Sequence, residues 1–119
     1  TQDEYRENIK EIRIEGHTSS FWIDGMSDND AYIKNMELSQ YRAQETLIYL
    51  LKHPGLSLKE KNWLKQKFRA IGFSSSQLLN AKGNIAVNKE DEDRTQSQRV
   101  EFRVVTNTED KVRAIATKE

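Results

Sequence analysis

Two stretches of strict alternation lie near opposite ends of the chain. Ile12 and Ile14 alternate with Arg13 and Glu15, and Val100, Phe102 and Val104 alternate with Glu101 and Arg103. A period of two gathers the apolar residues on one face of an extended strand. Between these stretches the period changes. Ala43, Leu47, Leu50 and Leu51 recur at helical spacing, and so do Leu64, Phe68 and Ile71. A chain of 119 residues fits one domain. Strands separated by helices at this length predict an α/β (α+β) two-layer sandwich. A polar, helix-compatible stretch from Asp3 to Asn8 precedes the first strand.

Local signals set the expected boundaries. Gly16 closes the first strand, and Ser19 to Lys34 reads as a long polar connection interrupted by a short helix from Asp30. Connections of that length are uncommon in compact domains and are often functional. Ser39 is the expected N-cap of the first strong helix, with Leu38 stapled against Ala43. Pro54-Gly55 stops it. Ser57 and Glu60 form a capping box for the second helix, and Gly72 its C-terminal cap. An extended piece from Phe73 to Leu79 follows. Residues Asn80 to Gln98 read as a mobile surface loop, and residues 107–119 as a polar tail that frays or forms a short helix.

The charges balance at 19 Lys+Arg against 19 Asp+Glu, with a pI near 6.7. There is no basic footprint for a nucleic-acid backbone and no Lys/Arg block for an anionic membrane surface. The longest purely apolar run, Leu47 to Leu51, is far too short to span a bilayer. Cysteine is absent, so neither a disulfide framework nor a thiolate metal site is available. With no signal peptide ahead of Thr1, the chain reads as part of a longer protein.

Arg42 carries the strongest chemical signal. If Ser39 caps the helix, Arg42 falls in its first turn, where a cation opposes the helix dipole. Free N–H groups there attract anions, and a guanidinium adds a planar fork suited to carboxylates. The site then reads as a carboxylate trap. The alternative is an exposed Arg reaching back to Asp28 or Asp30. His17 stands at a strand end, next to Ser19 and Ser20. A nucleophile–base pair is one reading, and a His hydrogen-bonded at a turn is the favoured one. His17 and His53 lack the ligand spacing of a zinc site, so no metal is expected. Phe21 and Trp22 either stack on a ligand or fold down onto the core, the latter preferred. The acidic run Glu90 to Asp93 lacks the alternation of a calcium loop and reads as solvated.

Three blocks in order form a recognisable pattern. They are Glu15-Gly16-His17-Thr18, then Asn35-x-x-Leu38-Ser39-x-x-Arg42-Ala43, then Arg99-Val100-Glu101-Phe102. Over residues 12–106 this resembles the OmpA-like peptidoglycan-binding family. That family includes porin C-terminal domains, the peptidoglycan-associated lipoprotein and the B subunit of flagellar motor stators. The resemblance implies a single domain with a β/α/β/α/β fold and helices on one face of a mixed sheet. It implies non-catalytic binding, without a cofactor, to the diaminopimelate-containing stem peptide of peptidoglycan. The family Arg maps onto Arg42, Thr18 and Asn35 onto residues shaping the same pocket, and Arg99 onto the second Arg of the family's Asn-Arg-Arg-Val-Glu segment, whose first two residues are Ser97-Gln98 here. His17 belongs to the same motif. The implied setting is the periplasmic domain of a bacterial outer- or inner-membrane-anchored protein, tethering it to the wall. A homodimer or a membrane-complex partner is also implied.

The departures are specific. Where the family has an Asp to receive the ligand's ammonium, this chain has Ser19. A hydroxyl accepts a hydrogen bond but supplies no charge. Asp24, Asp28 or Asp30 could substitute by loop position. The family's first strand is expected upstream of Thr1, which leaves a strand edge open. The long loop and the Arg-Val-Glu-Phe-Arg-Val ending look nearer to stator-B-type and related membrane-anchored proteins than to porins. Some of these relatives belong to anti-phage membrane complexes of the Zorya type. An alternative to wall binding is an interaction module whose pocket has decayed.

Overall fold

The computed structural model describes residues 8–107. Strand β1 (Ile9–His17) leads into a long helix, α1 (Asp28–Leu51). Helix α2 (Leu58–Lys67) then runs directly into β2 (Phe68–Gly72). A winding segment with a 3-10 turn at Lys89–Asp91 and a four-residue helix, α3 (Arg94–Ser97), connects to β3 (Arg99–Thr106). The sheet order is β2-β1-β3, with β1 parallel to β2 and antiparallel to β3. This is a small three-stranded mixed sheet with helices packed against it, as the sandwich expectation required.

Register assigns the faces. Ile12, Ile14 and Gly16 pair with Phe68, Ala70 and Gly72 on one side, and with Val104, Phe102 and Val100 on the other. These residues share one face. A Cβ at Gly16 would lie 2.1 Å from the Ser39 carbonyl oxygen, and one at Gly72 would lie 2.6 Å from the Gln40 nitrogen. Helix α1 therefore rests on the sheet through two glycines, backbone against backbone. Ile14 and Ala43 are fully buried at this junction.

Helix α1 begins eleven residues before Ser39. Its N-cap is Ser27, whose Oγ accepts from the Asp30 N–H at 3.1 Å. Asp28 and Asp30 in the first turn favour the positive end of the helix. No Gly or Pro interrupts residues 26–53. Ser39 is a buried mid-helix residue whose Oγ donates back to the Met36 carbonyl. The expected connection of residues 19–34 and its separate short helix thus give way to a shorter loop and one 24-residue helix.

The capping box of α2 is present as expected, with Ser57 and Glu60 bonded reciprocally. The apolar stripe Leu64-Phe68-Ile71 is not helical to its end. Phe68 and Ile71 belong to β2, and Gly72 ends a strand instead of capping a helix. The α2 C-terminus is capped by Arg69, whose guanidinium donates to the carbonyls of Gln66 and Phe68 at 2.9 and 2.8 Å. Residues 73–79, expected as extended, are loop apart from an isolated bridge from Leu79 to Ile85. The stretch 3–7 and the tail 108–119 lie outside the described residues.

Candidate functional site

The C-terminal end of β1 is buried on both sides. His17, Thr18 and Ser19 are 0, 1 and 5% exposed. Backbone and side-chain bonds lace this end to its surroundings. The Thr18 N–H donates to the Ser74 carbonyl, and the Ser74 N–H donates to Ser39 Oγ. Ser74 Oγ donates to the Tyr32 carbonyl at 2.7 Å. Ser74 holds φ 53°, a left-handed conformation uncommon for a non-glycine residue and secured here by these bonds. Asn35, 2% exposed, donates to the Phe21 carbonyl and fixes the loop against α1. The Oγ1 of Thr18 and the Nδ1 of His17 are buried with no hydrogen-bond partner among the described residues.

The expected residues fall into three groups. Thr18, Ser19 and Asn35 meet at the junction of β1, the loop and α1. His17 and Arg99 sit in a charged network on the sheet face away from α1. His17 Nε2 is 3.2 Å from Glu15 Oε1, and Arg103 donates to Glu15 Oε2 at 2.9 Å. Arg99 donates to Glu101 at 2.5 Å and to the carbonyls of Ser97 and Gln77. Its guanidinium is thus occupied in tying the loop to β3. Burial, reinforced by the Arg99 charge, holds the His17 imidazole below its usual range against the opposing Glu15 hydrogen bond. The Arg99 hydrogen bond, more than its charge, holds the Glu101 carboxyl below the usual carboxylate range.

Arg42 and Asp24 stand apart. Arg42 is the fifteenth residue of α1, far from its N-terminus. The helix-end argument for a carboxylate trap therefore fails, because the dipole acts only within the first turn. What remains is a half-buried guanidinium that makes no hydrogen bond or ion pair among the described residues. It does not reach back to Asp28, which pairs instead with Lys89 at 3.6 Å. Arg42 lies seven positions after Asn35, two turns or about 10 Å along one side of the helix. Asp24 is exposed and lines a cleft of about 200 Å³ with Phe21, Trp22, Asp28, Lys89 and Arg94. A second cleft, of about 310 Å³, shares Ser20, Asp28 and Lys89 and is closed by Tyr32, Ile85 and Val87. Arg42 lines neither.

Two acidic residues were hidden in the sequence. Glu92 lies in the run expected to be solvated, yet its carboxylate accepts from the Ser20 N–H and Oγ, the latter at 2.8 Å. Arg94 then lies over the Phe21 ring at 4.3 Å. The segment expected to be a mobile loop clamps the β1–α1 loop from outside. Glu15 is 1% exposed although its alternation places it on the polar face. Glu15, His17 and Glu101 are close enough to suggest a metal site. Arg103 and Arg99 already hold the two carboxylates, however, and two guanidinium charges oppose a cation there.

No family model matches the chain, and no solved structure matches it. It is similar to the Zorya protein ZorB of Escherichia coli (Crooks strain), with 42% identity over 114 residues. The similarity spans 95% of this chain but 45% of the relative, so the chain corresponds to less than half of that protein. No helix among the described residues is long and apolar enough to cross a membrane.

Proposed function

We propose that this domain is the wall-binding part of a stator-like component of a membrane complex, working in the periplasm without catalysis. The similarity to ZorB supports a place in such a complex. The observation that carries wall binding is Arg42, a guanidinium without a partner among the described residues on the flank of α1. One turn before it, Ser39 presses on Gly16, which leads into the buried His17-Thr18-Ser19 segment. The guanidinium receives the diaminopimelate carboxylate as a bidentate pair. Asp24, exposed on the adjoining cleft, receives the amine, and the buried Thr18 and Ser19 shape the site from beneath. No bond in the wall is broken.

Pull-down with purified sacculi tests this. An interaction with a charged group contributes about 1.5–3 kcal/mol, so Arg42→Ala is expected to weaken binding by about 10- to 100-fold. The melting temperature should hold, because the Arg42 guanidinium bonds nothing among the described residues and its backbone bonds survive the substitution. Unchanged sacculus binding would sink the proposal.

Ser19 favours a second reading. The missing charge at the amine position fits an OmpA-like interaction module with a decayed pocket. Its clefts, lined by the exposed Phe21, Ile85 and Val87, then receive a protein of the same complex. Sacculus binding by the unaltered domain decides against it.

A further inference from the structure

Phe21 and Trp22 are not absorbed by the core. Phe21 is 40% exposed and Trp22 half-buried. Both line the cleft of about 200 Å³ between the β1–α1 loop and the segment before β3. Arg94 lies over the Phe21 ring in the same cleft. The Trp22 indole N–H, the Arg94 guanidinium N–H groups and the Asp24 carboxylate make no hydrogen bond or ion pair among the described residues. Arg94 and Asp24 thus line one cleft with opposite charges and do not pair. The cleft stands at the C-terminal end of β1. Ile9 and Thr106, near both limits of the described chain, pair at the other end, about 26 Å along the strand.

We propose that this cleft is a sugar-binding subsite that takes one pyranose ring of the wall's glycan strand, with Trp22 as its platform. This rests on the wall-binding reading and adds the glycan to the stem peptide. A pyranose has a face of C–H groups and an edge of hydroxyls that donate and accept. It calls for an aromatic surface together with donors and acceptors. Trp22 supplies the surface, its indole N–H and Arg94 donate, and Asp24 accepts. An apolar peptide side chain would strip water from Arg94 and Asp24 and give them no partner. A small ionic ligand would use the charges and leave the indole idle. The volume is below that of a pocket for a whole small-molecule ligand and has room for one ring. The cleft of about 310 Å³ shares Ser20, Asp28 and Lys89 with this one and offers Tyr32, 41% exposed. Two adjoining clefts, each with an aromatic side chain, suit successive rings of a linear polymer. Asp24 is also where the amine is received, so glycan and stem peptide lie side by side, as they do in the wall.

Titration of the full chain with a soluble chitin oligosaccharide, which has N-acetylated sugars and no stem peptide, tests this. The chain has two tryptophans, so its amide NMR spectrum holds two indole signals, and Trp63→Phe identifies that of Trp22. Trp63 lies in a separate apolar cleft with Leu64 and Phe68. Saturable shifts of the Trp22 indole and of the amides of residues 20–26 are expected, with the Trp63 indole unmoved. Trp22→Ala is expected to weaken sugar binding about tenfold. Trp22→Phe, which keeps a platform, should fall between that variant and the parent. Arg42 lines neither cleft, so Arg42→Ala should leave sugar binding unchanged. A Trp22 indole unmoved by the sugar overturns the proposal, whatever Arg42→Ala does to sacculus binding. Equal shifts of both indoles overturn it by showing unspecific contact, and so does full sugar binding by Trp22→Ala. Sugar shifts at Trp22 alongside sacculus binding that survives Arg42→Ala would uphold this subsite and remove the stem-peptide role of Arg42.

Discussion

His17 is buried at the end of β1, stacked on Phe73 at 5.0 Å and facing Glu15. Its depressed pKa makes the fold pH-sensitive in a definite direction. The unfolded chain protonates near pH 6.5, while the folded imidazole stays neutral to lower pH. Below that point the unfolded state binds more protons, so stability falls as pH falls. The urea midpoint is expected to be lower at pH 5.5 than at 7.5, and His17→Phe should flatten the difference. A wild-type midpoint constant over that interval would contradict the assignment. At this scale the sequence was half legible. The motif blocks marked Thr18, Asn35 and Arg42, and the fold gathers the first two. Glu15 and Glu92 were not legible, because their partners Arg103 and Ser20 lie 88 and 72 residues away. No local pattern records such a pairing.

Among the elements, α1 is the least legible in the sequence, for a physical reason. Its first half is polar because it buries little beyond Asn35, so apolar periodicity becomes visible only from Ala43. Ser39 resembles a cap because a serine suits both a helix end and a close backbone approach. Here it serves the second role, against Gly16. Gly16→Ala would drive a Cβ into the Ser39 carbonyl, and overpacking of this kind costs typically about 1–3 kcal/mol. A fall in chemical stability of that size is expected for Gly16→Ala, and a variant as stable as the parent would show that α1 does not rest on the glycine. The segment before β3 gives a second case. Glu92→Ala removes charge-assisted bonds to Ser20, so faster amide exchange is expected at residues 20–26 with β1 unaffected. Uniform exchange across both would refute the clamp. Helix α2 ended without the expected glycine because Arg69 reaches back from the next strand, a cap that only the β2 geometry reveals.

The whole molecule is a sheet covered unevenly. Among the described residues the long helices lie over β1 and β2, while the apolar row of β3 stays half-exposed. This accounts for a strand whose alternation was plain in sequence but whose apolar face stays half-exposed. Balanced charge excluded partners that need a broad field, and it is compatible with a zwitterionic ligand held by one cation and one acceptor. The proposed function requires Arg42 and the end of β1 to act as one ligand site. Titration of a diaminopimelate-containing stem peptide, followed by backbone amide NMR, probes both at once. Saturable shifts clustered at residues 16–20 and 39–43, and abolished by Arg42→Ala, are predicted. A spectrum unmoved at those residues, or shifts that survive in the Arg42→Ala variant, would contradict it.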